Sequence, residues 1–295
     1  MKNLIKIGLI QQKGYKDKAE ALEESLKGIE YAKSQGADLI LLQELHAGLY
    51  FCQHECIETL AQAEPIPGET TKFLSKIAKD LKIVIVGSIF EKRAPGVHHN
   101  TAVVFEKDGS IAGKYRKMHI PDDPGYYEKY YFAPGDIGFK PISTSIGKLG
   151  ILVCWDQWYP EAARIMALNG ADILLFPTAI GWYPKDTEEL KNDLVDSWVT
   201  AQRGHSIANC LPIAACNRVG FEEDPSQVTD GIQFWGNSFV TGAHGKIKAI
   251  ASRDNPEVLI SEIDLNESRE MRHVWPYYRD RRIDAYHEIL CRYVD

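Results

Sequence analysis

The second half of this chain repeats the first, and that limits the folds open to it. KIGLI at 6–10 returns as KLGIL at 148–152, and GADLILL at 36–42 returns as GADILLF at 170–176. KIVIVG at 82–87 resembles LPIAAC at 211–216, and NTAVVFEKDGSI at 100–111 is echoed by NSFVTGAHGKI at 237–247. The matches keep one order and nearly one offset, so both halves are read as the same unit. In the first half, 5–11 is β-rich. The stretch 17–36 places Ala19, Leu22, Leu26, Ile29 and Ala32 on a helical period and stops at a glycine, while 37–44 is a nearly unbroken apolar strand. A helix is predicted over 70–81, a strand over 82–91, and a hairpin over 100–117 turning at Asp108-Gly109. Two sheets backed by helices can bury their open faces against each other. The predicted fold is an α/β, four-layer α-β-β-α sandwich of two pseudo-repeated half-units.

Composition supports a core of that size. Of 295 residues, 44% are hydrophobic, enough to fill it without disulfides or a structural metal. The net charge of −7 argues against non-specific nucleic-acid binding and against a polybasic membrane anchor, and leaves room for a neutral or cationic small-molecule partner. Six cysteines without a CxxC pair suggest a reduced, cytoplasmic setting. The N-terminal MKNLIKIGLIQQ is interrupted by Lys6, so neither a signal peptide nor a membrane span is expected. Residues 267–295 have no counterpart in the first half and are rich in aromatics and arginine. They are read as a tail at an interface of a homo-oligomer, with 1–266 as the main domain.

Ligands of open α/β sheets bind beyond the carboxyl ends of the strands, so those ends carry the functional argument. Cys154 closes the apolar run GILVC and precedes a turn and a helix over 155–170. Backbone N–H groups and a positive helix end at that junction predict a thiol shifted toward thiolate. Glu44 closes the strand 37–44, where a carboxylate is costly unless paired or working. In the second half Thr178 stands at the matching position, and the counterpart of Cys154 is Gln12. The halves thus match in scaffold and differ in chemistry. Alternation on 110–117 puts Lys117 and Tyr115 on one face, Arg116 and Lys114 on the other. A thiol, a carboxylate and an ammonium are the parts that thiol attack on a carbonyl needs, with the Trp155 N–H as a second oxyanion donor. No histidine adjoins Cys154, although a Cys-His pairing in space stays open from sequence.

The strings QELHAGLYFCQ (43–53), YRKMHIPDDPGYYEKYYFAPGD (115–136) and GILVCWDQWYPEAARIMALNGAD (150–172) resemble the nitrilase, or carbon–nitrogen hydrolase, superfamily. They look most like its N-carbamoylputrescine amidase branch. The resemblance covers nearly the whole chain. It implies the same sandwich and a catalytic Glu44, Lys117 and Cys154, with Glu128 matching the second glutamate of family members. It also implies cleavage of a carbamoyl or amide C–N bond through a Cys154 thioester, with no cofactor and no metal.

For the substrate, Trp155, Tyr126, Trp182, Asp186 and Thr178 are the candidate binding residues. Asp122, Asp123 and Glu188 are further acids near the expected mouth, and Tyr127 is a further aromatic face for a distal ammonium. Trp182 and Tyr183 stand where the amine-directed branch carries a more polar pair. A carbamoyl acid, as for a β-ureidopropionase or another ω-amidase, would want an arginine, and Arg203 and Arg218 are available. A metal-dependent phosphoesterase is the more remote reading. His46, His98, His99 and His119 show no ligand spacing for it, and Cys52, His54 and Cys56 resemble a metal clip only weakly.

Overall fold

The computed structural model describes residues 4–295; Met1–Asn3, with which the main domain was taken to begin, lie outside the described residues. The Asp17 carboxylate accepts the Glu20 N–H at 2.9 Å and caps the first helix, α1 (Lys18–Ser34), which stops before Gly36 at φ +84°. With it the first half runs β1 (Leu4–Gln11), β2 (Leu39–Leu42), α2 (Glu69–Leu81), β3 (Val84–Ala94), β4 (Val97–Phe105) and β5 (Ile111–Arg116). A single turn, α3 (Glu128–Tyr131), and β6 (Ile142–Thr144) lead to β7 (Gly147–Ile151), α4 (Pro160–Leu168), β8 (Ile173–Pro177), β9 (Gly181–Trp182) and α5 (Glu188–Asn209). Then come β10 (Ile213–Cys216), β11 (Val219–Glu222), β12 (Ile232–Trp235), β13 (Phe239–Thr241), β14 (Ile247–Ile250), β15 (Glu257–Asp264) and α6 (Leu265–Val274).

The repeat is visible in the sheets. One has the order β15-β1-β2-β3-β4-β5 and the other β14-β13-β10-β8-β7-β6. In each half three parallel strands are followed by two antiparallel ones. After its hairpin each half sends one strand to the other sheet: β6 pairs with β7, and β15 with β1, both antiparallel. Period-2 alternation sorts the side chains. Leu39, Leu41, Val84 and Val86 share one core with Leu149, Ile151, Ile173 and Leu175 between the sheets. Ile40, Leu42, Ile83 and Ile85 turn the other way, onto Ile29, Ala32, Leu74 and Ile77 of the helices. This is the expected α-β-β-α sandwich. Each such side chain contributes about 1.5–3 kcal/mol by burial. The glycine common to KIGLI and KLGIL marks close approach: a Cβ on Gly8 would lie 2.7 Å from the Ala32 Cβ, and one on Gly150 2.8 Å from Leu174 Cδ2.

Three features lie beyond the expectations. A small third sheet, β11-β12-β9, is inserted in the second half. The stretch 181–198, from which Trp182, Asp186 and Glu188 were drawn without a structural assignment, is a short strand followed by the first half of the long α5. The boundary drawn after residue 266 falls inside α6, whose Leu265, Ser268 and Met271 are buried. Tyr278 OH still donates to the Asn209 carbonyl at 2.7 Å, so the chain stays on the body beyond that boundary. An amphipathic helix unique to one half has no echo in the other, so the repeat could not reveal it. Among the described residues no helix is long and apolar enough to cross a membrane.

Candidate active site

Glu44 follows β2 and Lys117 follows β5, two strand ends of the first sheet. Both side chains are buried, and Lys117 Nζ donates to Glu44 Oε1 at 2.9 Å. The same ammonium meets both oxygens of the buried Glu128, at 2.8 and 2.7 Å. Alternation on β5 came out as expected: Tyr115 and Lys117 point inward, while Arg116 and Lys114 pair with Glu91 on the other side. Burial alone would pull the Lys117 ammonium down, but Glu128 and Glu44 outweigh it and hold it well above its ordinary value. Burial pushes the Glu128 carboxyl up to about 7, against the pull of Lys117 and with the help of Glu44.

Two residues not anticipated from sequence complete this cluster. Asn100 Nδ2 donates to Glu44 Oε1 at 2.6 Å, and its Oδ1 accepts from Ser88 Oγ, which also takes the Leu45 N–H. Tyr50 OH donates to Glu128 Oε1 at 2.7 Å. Asn100 lies within β4, just before its apolar run 102–105, and Tyr50 lies in the 43–53 string. A polar residue ahead of a buried apolar run was the available signal for Asn100; nothing in the local pattern singled out Tyr50. Glu44 Oε2 has no hydrogen-bond partner although it is buried, leaving one carboxylate oxygen free in the crevice.

Cys154 closes the matching strand end of the second sheet. Its φ of +42° is left-handed, costing about 1–2 kcal/mol for a non-glycine residue, and it begins a 3-10 turn, Cys154–Trp158. The α-helix expected after that turn, with Pro160 near its first turn, begins at Pro160. The thiol is buried, 5% exposed, and Sγ lies 3.6 Å from the Ala179 carbonyl. Burial and the Glu44 charge push its pKa well above the ordinary value, more than Lys117 lowers it. This corrects the expectation of a thiolate-like sulfur: a one-turn helix supplies little dipole, and desolvation wins. Such a shift favours the thiol over the thiolate, so this sulfur would need a base to act as a nucleophile. Glu44 and Lys117 act electrostatically on the thiol, and the Glu44 N–H bonds the Thr178 carbonyl (3.4 Å) one residue before Ala179. The structure therefore gathers the sulfur, the two carboxyls and the ammonium at the junction of the sheets. Trp155 is partly buried in the first turn after the sulfur, where chain N–H groups lack intrahelical partners.

The remaining candidates separate. Tyr126 OH accepts from the Gly181 N–H at 3.1 Å, and the charges of Cys154 and Glu44 act on it, so its phenol borders the site. Thr178 Oγ1 is turned away, onto the Phe176 carbonyl and Gln157. Trp182 packs at a tilt against Trp235 with centroids 5.3 Å apart, and the Arg253 guanidinium lies 4.3 Å from its ring centroid, so a protein cation already occupies a face. Asp186 accepts the Tyr183 N–H at 2.9 Å, and Asp122, Asp123 and Glu188 are exposed. Both arginines are engaged. Arg218 donates to the carbonyls of Glu44, Leu45 and Gly48 and pairs with Glu222, while Arg203 donates to the Gly245 carbonyl. A cavity of about 640 Å³ lies beside the loop 45–64, lined by Lys18, Tyr50, Phe51, Glu64 and Phe90; neither Cys154 nor Lys117 borders it. Among the described residues no three His, Cys, Asp or Glu side chains are grouped to hold a metal, and Cys56 Sγ meets Glu58 instead.

A double α/β sandwich that collects one thiol, two carboxyls and one ammonium at its strand ends is the framework of a thiol-dependent amide hydrolase. Comparison with known proteins agrees. The carbon-nitrogen hydrolase family matches residues 6–273, and the chain belongs to that family; it is an enzyme that cleaves amide-type carbon–nitrogen bonds. It is 45% identical to the N-carbamoylputrescine amidase of Solanum lycopersicum over 88% of this chain and 86% of that one. It is 39% identical to a citrullinase of Francisella tularensis over 98% and 99%. A crystal structure of a carbon-nitrogen hydrolase from Helicobacter pylori superposes with a TM-score of 0.96 at 52% identity, covering 99% of this chain and 100% of that one.

Proposed function

We propose that the protein hydrolyses the ureido group of a carbamoyl amine, N-carbamoylputrescine first, giving putrescine, carbon dioxide and ammonia. The observation that carries the chemistry is the buried Lys117 ammonium held between Glu44 and Glu128, with one Glu44 oxygen left unpartnered. Glu44 takes the proton of Cys154 as the sulfur attacks the carbonyl. Lys117 and the Trp155 N–H stabilise the oxyanion, each such donor being worth about 2.7–4 kcal/mol. Glu44 returns the proton to the departing ammonia, leaving a thioester of the carbamoyl group on Cys154. Water, deprotonated by Glu44, displaces the sulfur, and the carbamate product loses carbon dioxide. Glu128 orients the ammonium, and Tyr126 lines the substrate side.

Two findings favour an amine over a carbamoyl acid. Arg218 and Arg203, the arginines available for a distal carboxylate, are spent on backbone carbonyls. The amidase relative named above acts, by its name, on N-carbamoylputrescine, a ureido compound whose far end is an amine, whereas the citrulline of the citrullinase's name carries an ammonium and a carboxylate together and supports only the ureido chemistry. A homo-oligomer fits the tail, where Ile283, Ile289, Leu290 and Tyr293 are more than half exposed. Six free thiols suit a reducing cytoplasm. The test is ammonia release from N-carbamoylputrescine, citrulline and N-carbamoyl-β-alanine at equal concentration. The highest kcat/KM is expected on N-carbamoylputrescine, and a clear preference for the β-alanine derivative overturns the substrate assignment.

A further inference from the structure

The Asp156 carboxylate is fully buried and accepts four hydrogen bonds that converge from two directions. Oδ2 takes the Tyr115 hydroxyl at 2.8 Å and the Val153 N–H at 2.9 Å. Oδ1 takes the His119 N–H at 3.0 Å and contacts His119 Nδ1 at 2.7 Å. Tyr115 and His119 stand two residues before and two residues after Lys117. Val153 immediately precedes Cys154, and the Asp156 N–H returns a bond to the Val153 carbonyl at 3.1 Å. One side chain therefore fastens the turn that holds the sulfur left-handed to both shoulders of the strand end that carries the ammonium. His119 is itself fixed from outside by a parallel stack on Tyr159, with centroids 3.7 Å apart. The pairing of Cys154 with Gln12 across the repeat sets Gly14 against Asp156, so the first half has no side chain at this point. The tie belongs to the chemistry that distinguishes the halves, and not to the scaffold they share.

Resting on the catalytic reading above, we propose that Asp156 is a positioning residue: it sets the placement of the Cys154 sulfur relative to the Lys117 ammonium, through Val153 on one side and Tyr115 and His119 on the other. Acyl transfer is sensitive to such placement, and a displacement of about 1 Å can cost about 100-fold in rate. An amide at 156 has a single acceptor oxygen for donors arriving from both directions, so Asp156→Asn must release one of the two connections. Substrate contacts are untouched, and the loss falls on kcat rather than KM.

The experiment measures kcat and KM for the full chain on whichever ureido substrate the wild type turns over fastest. Asp156→Asn is expected to lower kcat about 100-fold with KM within about threefold. Tyr115→Phe and His119→Gln each remove one strand-side contact and keep the carboxylate; each is expected to lower kcat about 3- to 10-fold at unchanged KM. These two decide the matter if Asp156→Asn does not fold. Single variants that keep wild-type kcat, or that change KM alone, overturn the positioning role while leaving the hydrolase reading in place. A wild type that releases no ammonia from any ureido compound overturns the functional reading and this inference with it.

Discussion

Lys117→Met removes, among the described residues, the one cation within ion-pair distance of Glu44 and Glu128. Stripping one partner from a buried pair costs about 3–5 kcal/mol where the remaining charge cannot neutralise itself. Here it can. Glu128 already keeps a proton up to about pH 7 in the wild type. Without the ammonium a buried carboxyl climbs to about 8–9 or higher. A raised folded pKa gives stability that is complete at low pH and lost as pH rises through it. Between pH 6 and 8 the unfolded carboxyl binds almost no proton, so wild type loses about 1 kcal/mol over the interval as Glu128 ionises. The variant holds its proton over most of the interval and loses about 2–3 kcal/mol. Its deficit relative to wild type therefore grows by about 1 kcal/mol from pH 6 to pH 8. Urea unfolding of both proteins at the two pH values reads this directly, while kcat falls at least about 100-fold for want of the oxyanion donor. Equal deficits at pH 6 and 8, or no deficit at pH 8, refute the buried three-charge cluster.

Glu91 gives the opposite pH dependence. Burial would raise its carboxyl, but Arg116, Thr101 and Lys114 hold it down to about 2. That stability is present above the ordinary carboxyl range and is lost as pH falls from about 4.5 toward 2. Glu91→Gln should lower unfolding stability at pH 7 by about 3 kcal/mol and flatten the acid limb; an unchanged limb contradicts the geometry. Asn100→Ala frees the Glu44 carboxylate and strands Ser88, so kcat is expected to drop about tenfold with KM little changed, measured by ammonia release. A chain ending at Asp280 should assemble into fewer subunits by light scattering than the full chain; an unchanged subunit number removes the tail from the interface.

Much of this architecture was legible because a repeat is informative twice. GADLILL and GADILLF each identify a strand weakly, but together they fix two strands and their equivalence, and that equivalence forced the paired sheets. Glu44 was legible as a carboxylate closing an apolar strand, while Cys154 and Lys117 are ordinary residues for a buried strand end and a basic strand edge and stood out only as parts of one thiol, carboxylate and ammonium set and through the motif strings that carry them. Asn100 and Tyr50 were not, since their importance lies only in what they touch across the fold. Trp182 failed differently: an aromatic near a strand end looks like a binding face, but the Arg253 guanidinium that covers it is remote in sequence. The Cys154 thiol misled for a related reason. Local sequence showed the helix beyond it, while the burial that raises its pKa comes from the whole sandwich.

The site also explains why the two halves must stay paired. Glu44, Asn100, Lys117 and Glu128 all come from the first half or the link after it, and none of them is a nucleophile in this scheme. Cys154 comes from the second half, whose matching strand end offers Thr178 in place of a carboxylate. The Cys154 sulfur and the Glu44 carboxylate follow strands of different sheets, so their separation is set by inter-sheet packing, not by any local turn. Among the contacts that cross that divide, two buried charged side chains stand out. Arg218, from the second half, grips the carbonyls of Glu44, Leu45 and Gly48 in the first. Asp156 does the reverse, taking Tyr115 and His119 from the first half onto the turn of the second. Each is a buried charge satisfied mainly by the other half, and a slide of one side chain would leave Arg218 with Glu222 alone and Asp156 with the Val153 N–H alone. A slip of the sandwich that hydrophobic packing alone would tolerate is therefore resisted by two buried charge-assisted hydrogen-bond sets beside the cluster. That is why polar residues persist at the centre of an otherwise apolar layer.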